Sequence, residues 1–385
     1  MRNRKIAVLG CGLTGATIAN ILADNDCEVT IFEKEEDLGG MCADKMNENF
    51  GIIVSKYGPH IFHTNNEEVY GYISKFAEFV DYNHEVLAKT NKGLLPWPIN
   101  RETICKVFDE EDFEKAKRKW DIDIQLTNLD LDRSKQKESF ETVAKRKAGS
   151  RLYNLFMKKY TETQWQRKAS ELPAEIFGRV RFEDSNERKF FKDKYVKMPK
   201  DGFTQMIKNM VTKTNITIIK KEITRSDLIK LQLEFDNIVS TIPVDTFFNV
   251  QPLEMIKVMI TNYLINKDGV MDENVKDLLN SELGVLNICN SDTTTRITNY
   301  SKLFHNEITK NNFTIIAKEK PSINGYPLYP IATKENVKRA RLYVNALKYK
   351  ENIISAGRLG KYKYINMDEA IADGIKTAKI LLGME

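Results

Sequence analysis

Apolar positions recur along the chain in two alternating rhythms, one of strands and one of helices. Lys5-Ile6-Ala7-Val8-Leu9 is a short continuous apolar run of the length of a buried strand. It passes through Gly10-Cys11-Gly12-Leu13-Thr14-Gly15 into helical spacing at Thr17, Ile18, Ile21 and Leu22. Glu28 to Glu33 reads as a second strand. Between Tyr82 and Ile99 the pattern alternates and closes on Leu95-Pro96-Trp97-Pro98, which predicts strands and a tight bend. From 101 to 178 the character changes to long, densely charged stretches with helical spacing, Phe113 to Trp120 and Phe140 to Lys159, predicting a helical insertion. Strand-like segments follow at Ile216 to Ile219, Ile238 to Ile242, Leu286 to Ile288 and Phe313 to Ala317. Asp236 to Pro243 predicts a buried strand that ends in a turn and rejoins a parallel sheet. Ile353 to Arg358 repeats the passage from strand into glycine, and Met367 to Leu382 is helical by period at Ala370, Ile371, Ile375, Ala378 and Leu381.

The first turn carries chemistry. A strand that ends in G-x-G-x-x-G (Gly10, Gly12, Gly15) and opens a helix through Leu13 and Thr14 is the fingerprint of a dinucleotide-binding unit. Its glycines keep side chains away from a pyrophosphate at the helix N-terminus. Glu33, followed by Lys34, lies about 20 residues further on, where an acid accepts hydrogen bonds from an adenosine ribose and favours FAD or NAD over a 2′-phosphorylated cofactor. Gly39-Gly40 allows backbone to approach a cofactor closely, or is a simple turn. The N-terminus of the helix from Met367 is expected to face the same ligand.

Length and charge narrow the class. A chain of 385 residues holds two domains, or one large domain with an insertion. The 59 basic and 54 acidic residues, net +5, are spread along it, which fits solvated surfaces and a local anion site and argues against nucleic acid as a partner. Five scattered cysteines without a C-x-x-C spacing, beside four histidines, argue against a disulfide framework or zinc site and point to a reducing cytoplasm. Met1 to Lys5 followed by apolar residues to Ala23 imitates a leader or membrane span. Gly10, Gly12 and Gly15 weaken an isolated helix by about 1 kcal/mol each, whereas the nucleotide reading uses every one of them. No other stretch is long enough to span a bilayer.

Two further clusters stand out. Lys56 to Thr64 is a compact loop bounded by Gly58 and Pro59, with His60 and His63 three apart. They read as donors beside a ligand or as packing residues, since no carboxylate or thiol cluster accompanies them as a metal set. Phe156 and Tyr160 share a helix face, with Trp165 just beyond. The pair is either core or a stacking surface for a planar base, and polar neighbours from Lys158 to Gln164 favour partial exposure.

The phrase Lys-Tyr-Gly-Pro-His-Ile-Phe-His-Thr (56–64), then Tyr160-Thr-Glu-Thr-Gln-Trp165, Ser170-Glu171-Leu172-Pro173, Thr295-Arg296-Ile297, Tyr329-Pro330 and Gly357-Arg358-Leu359 with Tyr362-Lys363-Tyr364, resembles the UDP-galactopyranose mutase family in order and over nearly the whole chain. The resemblance implies an α/β protein. A Rossmann-like FAD-binding domain (1–80, 216–250, 336–385) would carry an inserted helical, substrate-binding domain (101–178) and an antiparallel sheet domain (81–100, 179–215, 251–335). It also implies interconversion of the pyranose and furanose forms of a nucleotide sugar, without net redox change, in galactofuranose supply for cell-surface polysaccharide.

In the mechanism this resemblance implies, N5 of reduced FAD attacks the anomeric carbon and expels the nucleoside diphosphate. A covalent flavin–sugar iminium then opens, recloses through another hydroxyl and is recaptured. FAD is the implied cofactor, NAD(P)H a candidate reductant, a nucleotide sugar the substrate and a homodimer the expected assembly.

By the same resemblance Phe156 and Tyr160 hold uracil, with Trp165 beside them near the sugar. Arg179 and Arg296 clamp the diphosphate, helped by Tyr195, Tyr329 and Tyr364. His60, Ile61 and His63 form the loop over the flavin, with His63 counted among the catalytic residues. Gly40, Met41, Arg358, Asn366 and Met367 join the glycine turn, Glu33 and Lys34 as flavin contacts.

The chain departs from the family pattern in places. Met41 replaces the usual asparagine, Asn366 an acid, and Thr298-Asn299 the acid after Thr-Arg-Ile, while Arg179-Val-Arg181 is about two residues short. Arg179 and Arg181 are therefore both candidates for the mobile clamp. UDP-galactose is the default substrate; a dTDP-6-deoxy-galactose or UDP-N-acetylgalactosamine keeps the same chemistry. An FAD oxidase or desaturase, and a nucleotide-sugar binder without catalysis, are the readings from other classes.

Overall fold

The computed structural model describes residues 4–134, 137–304, 312–322, 325–349 and 352–384. Met1, Arg2 and Asn3 of the leader-like start lie outside them. A five-stranded parallel sheet runs in the order Ile216–Lys220, Glu28–Glu33, Lys5–Leu9, Asn237–Ser240, Ile353–Ser355. Lys5–Leu9 is the central strand and is covered on both faces, which is why its sequence is an unbroken apolar run. Asn237–Ser240 pairs with it in parallel, Val8 beside Val239 and Leu9 beside Ser240, so the late strand rejoins the first one as the sequence pattern requires.

One face of this sheet carries the helices Leu13–Asp24 and Met367–Leu382, and the other is packed by Leu228, Leu231, Phe247, Ala340 and Leu347 from later segments. Met367–Leu382 begins in a capping box. The Asn366 side chain takes an amide of the first turn, while its own N–H donates to Glu369 at 2.8 Å. The helix ends at Gly383 in the left-handed conformation, φ +73°. Between those ends it buries Ile371, Ile375, Ala378 and Leu381; each large one stabilises by roughly 1.5–3 kcal/mol. A Cβ at Gly374 would lie 2.8 Å from Cβ of Thr17, so any side chain there pushes the two helices apart.

A seven-stranded sheet runs in the order Tyr326–Pro330, Met255–Asn266, Phe313–Ser322, Arg296–Asn299, Val285–Ile288, Val86–Thr90, Gly93–Trp97. It is antiparallel except where Val285–Ile288 runs parallel to Val86–Thr90. The segment Tyr195–Pro199, expected with this sheet, instead joins Phe62–Thr64 and Phe79–Asp81 in a separate three-stranded sheet. Thr64 pairs with Tyr195, and Met198 packs into the core of the dinucleotide unit.

The insertion is helical: Arg101–Phe108, Phe113–Ser134, Phe140–Leu152 and Lys158–Trp165. The long stretch read as one helix from Phe140 is interrupted twice. Gly149 takes φ +78°, where a Cβ would meet Asp123 at 2.2 Å, and Tyr153–Met157 forms a π turn. The wider turn advances the helix face, so that Phe156, Met157, Tyr160, Thr161 and Gln164 all reach one cavity. Among the described residues no helix is long and apolar enough to cross a membrane.

Candidate functional site

Two cavities adjoin, the first at the C-terminal edge of the parallel sheet. The first is a groove floored by Gly10, Gly12, Leu13, Thr14 and Gly15, walled by Glu33, Lys34, Gly40 and Met41, and closed by Arg358, Asn366 and Met367. Its glycines are not equivalent. Gly10 sits at φ +95° with a would-be Cβ 2.5 Å from Thr241 Oγ1, and a Cβ at Gly15 would fall 2.1 Å from the Gly10 carbonyl oxygen; packing alone demands both. A Cβ at Gly12 would meet nothing nearer than 3.8 Å. Its missing side chain serves the groove, not the fold. Gly12 is also the N-cap of Leu13–Asp24 and offers no side-chain cap, so the first-turn amides are open to an anion.

Glu33 ends its strand buried at the groove, accepting from the amides of Cys11 (2.7 Å) and Glu35 (2.9 Å). These two bonds fix the carboxylate; each oxygen keeps a further lone pair for a ribose hydroxyl. Lys34 sits at the rim, paired with Glu222 at 3.3 Å. The groove thus fits an extended dinucleotide: a bare glycine floor, helix amides for a pyrophosphate and an acid for a ribose.

The second cavity, about 560 Å³, is large enough for a nucleotide-sized ligand. Phe156, Tyr160 and Trp165 line it from the helical part, Tyr329 from the large sheet, Tyr364 from the turn between Gly357–Gly360 and Met367–Leu382, and His60, Ile61 and His63 from the loop. His60, Arg358, Asn366 and Met367 border both cavities, so the two open on each other. Arg358 is fixed there by carbonyls of Leu328 (3.2 Å) and Ile365 (2.6 Å), with its guanidinium 4.6 Å over Tyr364 and against Met41 Sδ at 3.4 Å. Tyr329 stacks on Tyr364 with centroids 5.7 Å apart.

Arg296 points into this cavity from the middle of the large sheet. Glu319, directly opposite on the neighbouring strand, grips it with Nε to Oε1 at 2.6 Å and Nη2 to Oε2 at 2.8 Å. Burial works against the charge, but the carboxylate outweighs it and holds the Arg296 pKa well above the usual arginine value. The grip occupies one edge of the guanidinium and leaves Nη1 for a ligand. Arg181 also lines the cavity, donating to the Phe190 carbonyl at 2.6 Å and resting against Phe190 and Phe191.

The histidines of the loop are neutral in this setting. Burial, helped by the Arg358 charge, pushes His60 down to about 4, while its Nδ1 lies 2.8 Å from the Gly58 carbonyl. Burial also lowers His63, against the pull of Asp193, whose carboxylate meets Nδ1 at 3.1 Å. The His63 ring stacks on Phe191 at 3.8 Å.

The structure therefore brings together all but two of the residues singled out in the sequence. Tyr195 is the correction. Its hydroxyl donates to Glu67 at 2.6 Å and its ring stacks on Tyr70 at 3.9 Å, outside both cavities, because its strand belongs to the small outer sheet. For Arg179 the backbone closes the short helix Ala174–Arg179, and its side chain lies outside the described residues. Ile61, expected at the cofactor groove, lines the second cavity. Sequence reasoning missed His84, Phe190, Phe191 and Asn287, which line that cavity, and Glu319, which holds Arg296. Only Arg181 among the newly placed residues had carried a signal, as the second arginine of the shortened segment. Among the described residues no group of three or more His, Cys, Asp or Glu side chains could hold a metal ion.

Comparison with known proteins adds to this geometry. Residues 155–364 match the pattern that defines UDP-galactopyranose mutases, and residues 8–76 that of NAD(P)-binding Rossmann-like domains. The chain is 30% identical to a probable UDP-galactopyranose mutase of Klebsiella pneumoniae, over 98% of this chain and 94% of that protein. It is 26% identical to a dTDP-fucopyranose mutase of Escherichia coli, over 98% of each. The crystal structure of a reduced UDP-galactopyranose mutase superposes with a TM-score of 0.75 at 14% identity, covering 100% of this chain and 95% of that one.

Proposed function

The chain belongs to the UDP-galactopyranose mutase family and is an isomerase, and on that premise we propose that it interconverts the pyranose and furanose forms of a nucleotide hexose, UDP-galactopyranose by default, with FAD in the glycine-floored groove. The observation that carries this reading is the join between the cavities: Arg296, aimed by Glu319, stands in a chamber that opens on the dinucleotide groove past His60 and Arg358. Held there by the glycine turn, Glu33 and Arg358, a reduced flavin would supply a nucleophilic nitrogen for chemistry at the anomeric carbon.

The chain's own residues do the rest. Phe156 and Tyr160 hold the base, and Trp165 stands beside it toward the sugar. Arg296, with Arg179 or Arg181, meets the negative charge that grows on the departing phosphate; a fixed cation stabilises the transition state more than the ground state. Tyr329 and Tyr364 donate single hydrogen bonds at low entropy cost. His60 and His63, both neutral, add dipoles but no competing charge beside the flavin. The five free thiols, four of them buried, favour a reducing cytoplasm, and NAD(P)H is the proposed reductant. A homodimer is the proposed assembly.

A second reading has its own support. The relative that acts on dTDP-fucopyranose matches along nearly its whole length, and Met41 and Asn366 depart from the family pattern at the edge of the flavin groove. A 6-deoxy hexose therefore competes with galactose. Dithionite-reduced enzyme incubated with a panel of UDP- and dTDP-hexoses tests both: furanose product from one of them is expected. Net oxidation of a substrate, with no furanose formed, contradicts the reading.

A further inference from the structure

The strand Met255–Asn266 of the large sheet has two neighbours for only part of its length. Phe313–Ser322 runs beside it from Lys257 to Asn266, but Tyr326–Pro330 covers its other side from Met255 to Val258 alone. Among the described residues no backbone bond reaches that other side of residues 259–266, and Met259, Tyr263 and Leu264 are exposed. The stretch reads Met-Ile-Thr-Asn-Tyr-Leu-Ile-Asn, with no charge, proline or glycine, while lysines stand outside it at 257 and 267. Edge strands facing solvent are ordinarily blunted by a charge, a proline or a bulge, because their open N–H and C=O groups are a template for another strand. The register shift between Ile256 and Lys257 lies in the covered part and blunts nothing beyond it.

This edge complements itself. When two copies of one strand pair antiparallel about a two-fold axis in a single sheet, opposed side chains must point to the same face. The axis therefore passes through one residue that meets its own copy. Centred on Asn262, the pairing sets Met259 opposite Ile265, Ile260 opposite Leu264, and Thr261 opposite Tyr263. Each exposed apolar side chain then faces an apolar or β-branched one, combinations that stabilise neighbouring strands. Asn262 meets its own copy, amide to amide. Centred on Tyr263 instead, Leu264 would face Asn262, and Ile260 would face Asn266. The first register also ends where the open edge ends. Its next pair outward, Val258 with Asn266, is blocked because Val258 already pairs with Tyr326.

Resting on the homodimer named above, we propose that residues 259–265 form its interface, an antiparallel strand pair centred on Asn262 that joins the large sheets of two copies of this chain. None of these residues lines either cavity, so each copy keeps its own groove and chamber.

The test uses FAD-loaded enzyme in sedimentation equilibrium. Asn262→Asp and Asn262→Lys are each expected to raise the dimer Kd roughly tenfold or more, because like charges then face each other across the axis. An equimolar mixture of the two should return to the wild-type value, a recovery that requires position 262 to face itself. Under mild oxidation Asn262→Cys should give a covalent dimer, whereas Leu264→Cys, about 13 Å from its copy along the strand, should not. Flavin content and turnover per flavin should stay at wild-type values throughout. A dimer whose Kd ignores both charges, or equal cross-linking at 262 and 264, overturns the interface and leaves the homodimer standing. A wild-type protein that is monomeric at every concentration overturns both and leaves the open edge to a strand of another protein. The mutase reading survives either result.

Discussion

Arg296 and Glu319 face each other across neighbouring strands of the large sheet in a two-pronged ion pair, with N–O distances of 2.6 and 2.8 Å and the carboxylate only 4% exposed. A buried pair gains little net stability, because desolvation cancels much of the attraction. What it gives here is aim. One edge of the guanidinium is spent on Glu319 and the other is fixed toward the chamber. Glu319→Gln is therefore expected to keep flavin binding and to lower turnover on the order of tenfold or more by loosening that aim. Steady-state kinetics beside flavin absorbance check it; unchanged kcat contradicts it.

The arginines differ in what their removal leaves behind. Arg296→Ala should lower turnover on the order of a hundredfold, roughly 3 kcal/mol, and also destabilise the fold by about 3–5 kcal/mol because Glu319 stays buried without its partner. For the opposite clamp, Arg181 stands in the cavity wall, so Arg181→Ala should slow turnover by a similar factor with little loss of stability. Arg179→Ala is the companion variant. If it alone abolishes turnover, Arg179 is the clamp; near-normal rates in all three variants rule out a diphosphate clamp. Urea midpoints and kcat on the same preparations separate the two effects.

At the groove, Gly12→Leu should fold and lose FAD, since a side chain there fills ligand space and touches little of the protein. Gly15→Ala should instead fail to fold or unfold early, its Cβ lying 2.1 Å from a carbonyl oxygen. Flavin content and thermal melting, measured together, check the contrast. A Gly12→Leu protein that still purifies yellow contradicts the placement of the pyrophosphate.

Acid should destabilise the protein in a defined window. His60 and His84 titrate at about 4 and about 3 in the folded chain, below the ordinary 6.5. Between 6.5 and those values the unfolded chain takes up protons that the folded one refuses. The stability they contribute is complete above pH 6.5 and falls by up to about 1.4 kcal/mol per pH unit for each histidine as pH drops. Urea midpoints across pH 7 to 4 should show this slope, and it should be shallower in His84→Phe. Identical slopes in the two proteins contradict the assignment.

Much of the fold was legible because its elements have one dry face or two. Lys5–Leu9 declared itself by an unbroken apolar run, and Met367–Leu382 by its period. The glycine turn and the aromatic trio were legible because each is local in sequence. Glu319 was not, since Lys318-Glu319-Lys320 reads as a solvated charge run and only strand pairing sets it against Arg296. His84, Phe190 and Phe191 were likewise hidden, because ring contacts between segments about a hundred residues apart create their site. Tyr195 misled because its role was carried over from the resemblance alone; its strand neighbours, Thr64 and the Glu67 beyond, take it elsewhere.

An isomerisation of a nucleotide hexose on reduced flavin, without net redox change, requires the flavin reduced and leaves it so. The most direct measurement compares air-oxidised and dithionite-reduced enzyme under anaerobic conditions, following the furanose product and the flavin spectrum in the same cuvette. Near-zero turnover is expected when oxidised, many turnovers per flavin when reduced, and a flavin still reduced at equilibrium. Equal rates in the two states, or reoxidation of one flavin for every product formed, would contradict it.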